Sequence, residues 1–384
     1  MTTIRNIILL LAVLNGIFAA EGVAHMTHNG FSLSPLENRI NFIIPDYQLK
    51  ENTIGGVDYS KPEIEGAGSI AQPGQPDLPS VSTYYMVEPV KTFDVQYTIE
   101  DYEVIDNIDL LPFSGWDNNQ NPTDDKSEVY VNDLPFPNEI VQISEPIVFR
   151  DVSMVQVTLT PFQFNPVANT LKVIKNVSLD IIEQDEGDTP FIPRKISRDF
   201  EAMYKSLIVN YPSRTRDDDE YQRPSILYVL PNNIGNLFNT IQQLMDWKKR
   251  IGYDVQYVSS STIVNNRNSL KNYIEDAYEN WDNPPVYVTL VGDASNGNYT
   301  IPTWFENYSW YNGEGDMPYT TLEGGDVYPE VFIGRLSFST SAHLSTIVSK
   351  TLNYESNPYM NDNWFQRACL VAVSYTHLTL PTNG

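Results

Sequence analysis

The sequence predicts an α/β domain with a mainly parallel sheet flanked by helices, preceded by a β-rich domain. Three observations predict this division. Between residues 31 and 183 apolar residues alternate with polar ones at the spacing of strands; after Pro224 short apolar runs alternate with helical spacing; and a charged stretch, 184–223, separates the two. At 384 residues the chain has room for more than one domain. Its 41% hydrophobic and 12% aromatic residues supply real cores and exclude a disordered chain. The balance of 24 Lys and Arg against 49 Asp and Glu, a formal charge of −25, excludes a general nucleic-acid binder, which needs clustered cations to displace counterions from phosphate.

In chain order, residues 1–20 read as a signal peptide. Arg5 starts it, an apolar run covers 7–14, and Ala19 and Ala20 offer small residues for cleavage before Glu21. Asn15 and Gly16 break the run short of a bilayer span, so no membrane span is expected after cleavage. The chain is therefore expected to be secreted or displayed on a bacterial envelope. Its one cysteine, Cys369, permits no intrachain disulfide, and the histidines His25, His28, His343 and His377 have no metal-ligand spacing.

Residues 21–183 form the β-rich domain. Val155, Val157 and Leu159 alternate with Met154, Gln156 and Thr158; 161–169 breaks that run, and Leu171, Val173, Val177, Leu179 and Ile181 take it up again. The prolines Pro73, Pro76 and Pro79 lead into a strand over 81–87 and push it to an edge. No cluster of titratable residues stands out here. Within the connector 184–223 one amphipathic helix is expected over 200–209, with the rest exposed and open to proteases.

From 224 to 372 the expected order is strand 226–230, a helix through Leu237, Ile241, Leu244 and Met245 closed by Gly252, strand 255–258, a helix through Leu270 and Ile274, strand 286–291, a helix through Leu344 and Val348, and a strand 368–372. In such sheets chemistry gathers beyond the carboxyl ends of the strands. One such end reads Leu290-Val291-Gly292-Asp293. A long loop then leads to Glu323-Gly324-Gly325-Asp326-Val327-Tyr328-Pro329-Glu330, and loops of that length are usually functional. Asp293, Asp326 and Glu330 supply carboxylates. In an extended segment the alternate positions 326, 328 and 330 can aim two side chains and the Tyr328 carbonyl at one point, an oxygen set suited to Ca²⁺. The competing reading is structural: Asp293 caps a turn and Glu330 pairs with Arg335.

The strand 226–230 with Pro231, Trp247-Lys248 with Gly252, Leu290-Val291-Gly292-Asp293, Gly325-Asp326, Pro329-Glu330-Val331-Phe332-Ile333-Gly334-Arg335 and Tyr354-Glu355 together resemble the first half of the catalytic domain of gingipain-type cysteine peptidases. Upstream, Pro73-Gly74-Gln75-Pro76-Asp77-Leu78-Pro79 and the hairpin 162–182 resemble that family's propeptide. The resemblance implies a caspase-like α/β catalytic domain, with an incomplete sheet here, in a secreted zymogen that cleaves protein or peptide substrates with a Cys nucleophile and a His base, and has its own propeptide as partner. It also implies a structural calcium site formed by the carboxylates of Asp293, Asp326 and Glu330 and backbone oxygens at Glu323 and Tyr328.

The catalytic pair is expected beyond Ala372, so this stretch supplies no catalytic residue and is predicted to be inactive alone. Cys369 lies in an apolar run and reads as a core thiol, while His343 reads as an exposed helical residue. Residues 373–384 read as a translated sequencing adapter, with a genuine last strand as the alternative. A sheet missing its last strands is expected to aggregate. Arg214, Arg216 and Arg223 are the candidate activation points in the connector. Two further functions stay open: a non-enzymatic surface or adhesion protein on a peptidase-like scaffold, and a sorting peptidase of the same family.

Overall fold

The computed structural model describes residues 30–34, 39–54, 56–113, 115–116, 122–123, 126–212, 221–294, 297–308 and 311–356. The expected signal peptide, Cys369, the strand 368–372, the stretch 373–384, and Arg214 and Arg216 lie outside these residues. Two compact units are present. The first combines the described residues of Met1–Pro224 with Lys271–Tyr287 and Asp316–Ile333, and the second takes in those of Ser225–Leu270, Val288–Gly315 and Gly334–Gly384.

The first unit is built mainly from strands. In order these are β1 (Phe31–Ser34), β2 (Arg39–Ile43), β3 (Tyr47–Ile54), β4 (Val57–Ile64), β5 (Gly68–Ser69), β6 (Pro79–Met86), β7 (Lys91–Asp106), β8 (Gly115–Trp116), β9 (Pro122–Thr123), β10 (Val141–Ile143), β11 (Ile147–Phe149), β12 (Val152–Leu159), β13 (Phe162–Asn165) and β14 (Thr170–Glu186). One five-stranded sheet runs β1-β2-β14-β13, with β7 also on β14; another runs β10-β12-β6-β5, with β11 also on β12. Side chains from both sheets meet in one core: Val155, Val157 and Leu159 of β12 with Phe162 and Phe164 of β13 and Leu171, Val173, Val177 and Leu179 of β14. The predicted break at 161–169 therefore holds a strand, because the alternation of Phe162 and Phe164 lets β13 fold back on β14 as a hairpin. Pro79 stands at the first residue of β6, where a missing donor costs least, and beyond the two-residue β5 that side of β6 carries no other named strand.

The face of β12 that its polar residues suggested was exposed is in part buried. Val152 and Met154 point away from the sandwich core into a second one, shared with Ile147 and Phe149 of β11, Phe200 and Tyr204 of helix α1 (Arg198–Leu207), Ile208 just after that helix, and Val286. With both faces covered at its start, β12 has four consecutive buried residues, which alternation alone does not anticipate.

The connector is likewise less open than its charge suggested. Phe200 and Tyr204 pack in this second core, their rings docked on Phe149 with centroids 5.8 and 5.3 Å away, while Arg194 pairs with Glu323, the Ser197 amide donates to Asp151 and Gln222 accepts from Arg150.

Downstream of Pro224 the α/β grammar is present. The elements are β15 (Ser225–Val229), α2 (Phe238–Arg250), β16 (Asp254–Val258), α3 (Ser261–Val264), α4 (Arg267–Asn280), β17 (Tyr287–Val291), β18 (Trp304–Tyr308), β19 (Tyr311–Gly315), β20 (Phe332–Leu336) and α5 (Ser341–Ser356). The four-stranded sheet runs β16-β15-β17-β20, with β15 and β16 parallel and in register from Ser225 on Asp254 to Val229 on Val258. Every residue of β15 is buried, as a strand covered on both faces requires. Helix α2 ends with Lys248, Lys249 and Arg250 in its last turn, where cations suit the helix dipole, and Gly252 follows at φ +109. Helices α2 and α5 pack together, and the Glu355 carboxylate joins them by accepting from Trp247 Nε1 and Lys248 Nζ, both at 2.8 Å. Two separated pieces of the family pattern, Trp247-Lys248 and Tyr354-Glu355, are thus one contact.

Candidate functional site

The loop residues singled out by spacing fall as follows. Glu323, Asp326, Tyr328 and Glu330 all belong to the first unit, and Asp293 belongs to the second. Asp293 stands just past β17, and its Oδ1 accepts from the Ala294 amide at 2.8 Å and the Ser337 hydroxyl at 3.1 Å. Arg335 of β20 donates to the carbonyls of Gly292 and Ile301, at 3.1 and 2.8 Å. Gly292 has φ +148, and a Cβ there would sit 2.8 Å from the Tyr299 carbonyl oxygen, so a side chain is excluded from this strand end.

In the first unit the 323–330 loop is crowded with carboxyl groups. Glu330 is fully buried; its Oε2 accepts from the Leu322 amide at 2.6 Å and the Glu323 amide at 3.3 Å, while Oε1 is buried without a hydrogen-bond partner. Burial pushes this carboxyl up to about 8, the two amide hydrogen bonds working against the shift and the charges of Asp326 and Glu323 adding to it. Asp326 is raised too, mainly by burial, although the amides of Tyr328 and Val148 donate to it at 2.8 and 3.1 Å. Gly324 and Gly325 have φ +77 and +69, and a Cβ on Gly324 would meet Asp326 Oδ2 at 2.6 Å.

The Glu323 carboxylate is already engaged. It accepts from Arg194 Nη2 at 3.0 Å, the Tyr278 hydroxyl at 2.7 Å and the Ile192 amide at 2.7 Å. Among the described residues no three His, Cys, Asp or Glu side chains are grouped so as to hold a metal ion. A cation at this loop would therefore depend on backbone oxygens as well as on Asp326 and Glu330, and the unpartnered Glu330 Oε1 is the atom that fits one.

Residues of the β-rich part contact this loop at alternate positions. The Val148 amide reaches Asp326, the Tyr84 hydroxyl meets the Tyr328 hydroxyl at 2.5 Å, and Arg150 Nη1 donates to the Glu330 carbonyl oxygen. Sequence reasoning passed over Arg150 altogether. It fills the turn between β11 and β12 at φ +51, is fully buried, and donates to the Pro285 carbonyl at 3.1 Å and to Gln222 Oε1 at 2.8 Å. Its neighbour Asp151, also buried, accepts from the Ser197 amide at 2.8 Å and the Tyr204 hydroxyl at 3.1 Å. A signal was present: a charged pair, Arg150-Asp151, standing between two apolar runs. His343, near the start of α5, is exposed, as expected, with Nδ1 3.2 Å from the Ser339 hydroxyl.

Two family models match the chain in succession, the propeptide of peptidase family C25 over residues 36–213 and peptidase family C25 over 219–379. The chain belongs to this gingipain-type family of cysteine peptidases, with a propeptide ahead of a peptidase region. Its curated relatives include gingipain R2 of Porphyromonas gingivalis, 26% identical over 83% of this chain and 44% of that protein, and Lys-gingipain of the same species, 26% identical over 86% of this chain and 20% of that protein. The chain thus spans less than half the length of these relatives. Among solved structures, the complex of Porphyromonas gingivalis RgpB pro- and mature domains aligns with 47% of this chain and 96% of its own at 23% identity and a TM-score of 0.43.

Proposed function

We propose that this chain is the prosegment and leading part of the peptidase region of a secreted zymogen, whose complete product hydrolyses protein substrates by Cys/His nucleophilic catalysis. The observation that carries the proposal is the succession of a C25 propeptide and a C25 peptidase region, joined in the first unit by buried contacts between prosegment residues and the segments around Pro285 and Glu330. A thiolate needs an imidazole within hydrogen-bond reach to be activated, and this pair is expected beyond Ala372. The test is to read the gene outward from the coding region of 329–335 and assay the complete product with a thiol-blocking reagent. A His before Gly and a Cys at successive strand ends, with activity lost on blocking, supports the peptidase; replacement of both residues favours a non-enzymatic surface protein. A sorting role within the family would show as cleavage confined to proteins bearing one terminal signal.

Calcium belongs to the same proposal. Glu330 and Asp326, with backbone oxygens of Glu323 and Tyr328, are the candidate ligands in the first unit, and Asp293 is the candidate in the second. The support is the buried, unpartnered Glu330 Oε1 beside other acidic groups. A bound cation there would neutralise carboxyl charge and brace the loop. Export, with removal of residues 1–20, completes the proposal; among the described residues no helix is long and apolar enough to cross a membrane.

A further inference from the structure

We propose that Arg150 is the recognition residue of the prosegment's docking surface, and that its buried guanidinium, not the chain connection through 213–220, holds the prosegment on the peptidase region. The inference rests on the zymogen reading for the division between the two parts.

Position and chemistry both support it. The turn between β11 and β12 has two residues, Phe149 pairing with Val152, and such turns normally place Gly, Asn or Asp where φ is positive. An arginine at φ +51 accepts backbone strain that a glycine would avoid, so its side chain must return more than it costs. The hydrogen bonds of that side chain go to Gln222, at the end of the connector, and to two carbonyls of the peptidase region. Nη1 donates to the carbonyls of Pro285 and Glu330, Nη2 donates to Gln222 Oε1, and Gln222 Nε2 in turn donates to the Pro284 carbonyl. The guanidinium lies between the rings of Phe200 and Tyr278, 5.1 and 5.5 Å from their centroids. Its charge is met by Asp151, with Nε 3.4 Å from Oδ1.

A planar fork that satisfies a glutamine oxygen and two peptide carbonyls recognises one arrangement of the peptidase region and rejects others, since a mismatch leaves a buried charge unpaired. The partner is therefore a folded peptidase segment offering the carbonyls of Pro285 and Glu330 side by side. An unfolded or displaced one does not offer them.

The test uses the full chain with a specific protease sequence placed within 213–220. After cutting, the wild-type pieces are expected to co-elute on size exclusion. Arg150→Met keeps the length and apolar stem; its uncut chain is expected to keep wild-type circular dichroism, while its cut pieces separate with a dissociation constant raised about 100-fold, the scale of removing one partner from a buried charged contact. Arg150→Lys, which keeps charge without the fork, is expected to behave like the methionine variant. Co-elution of the Arg150→Met pieces with unchanged affinity overturns the proposal. Should that variant fail to fold uncut, Gln222→Leu decides in its place: weakened association supports the proposal and wild-type affinity overturns it. A missing catalytic pair in the complete gene would sink the zymogen reading while leaving this binding result standing.

Discussion

Glu330 keeps a carboxyl group with no solvent around it, and the consequence is a pH dependence of known sign. Its ordinary value is 4.5, and burial raises it to about 8. Below the lower value the group is neutral whether the chain is folded or not. Between the two the unfolded chain releases its proton while the folded one retains it, so this group's contribution to stability falls as pH rises through the window. Replacing it by Glu330→Gln is expected to remove that slope, checked by comparing thermal melting of the two chains in chelator across the window. Added calcium is expected to stabilise the wild type at the upper end and to do less for the variant; equal shifts in both would count against Glu330 as a ligand. At Gly324 the left-handed backbone and the nearby Asp326 oxygen make Gly324→Ala costly by about 1–3 kcal/mol, measurable by denaturant unfolding. Tyr204, with hydrogen bonds to Asp151 and to the Phe149 carbonyl, is expected to lose about 1–3 kcal/mol on change to Phe, since Asp151 keeps its burial and loses a donor.

Elements differ in how openly the sequence declares them. Strands β15, β16 and β17 and helices α2, α4 and α5 were legible because each depends on a short periodic run, and periodicity is a local property. Strand β13 was hidden from periodicity, since two phenylalanines between prolines and asparagines give too little alternation to stand apart from a turn, and only the family resemblance, through the hairpin 162–182, pointed to it. Burial at the start of β12 was not legible for a different reason: whether Met154 is covered depends on α1, which begins at Arg198, and no local pattern carries that. The same distance effect hid Arg150, whose acceptors lie on three separate stretches. Asp326, Tyr328 and Glu330 were legible as alternate residues, yet spacing could not say that Glu323 is engaged by Arg194 and Tyr278. For the connector, burial of Ser197 and Gln222 predicts that limited proteolysis of the folded chain spares 194–204 and the bonds beside Gln222. Mass spectrometry of the first products checks this, and an early cut between Arg194 and Tyr204 would contradict it.

At the scale of the molecule, the boundary between compact units does not follow the boundary between propeptide and peptidase region. Segments Lys271–Tyr287 and Asp316–Ile333 pack with the prosegment, and Tyr287, Tyr328 and Phe332 lie against its aromatic core. A chain beginning at Pro224 would expose that surface in addition, so it is expected to aggregate more than the full chain, as judged by light scattering at equal concentration. The order of synthesis gives this arrangement a direction. Residues that build the two five-stranded sheets leave the ribosome before either segment that will rest on them. The growing chain therefore has a finished mould in hand by the time the parts to be shaped arrive, and on the zymogen proposal the same mould must later be prised away from its own casting.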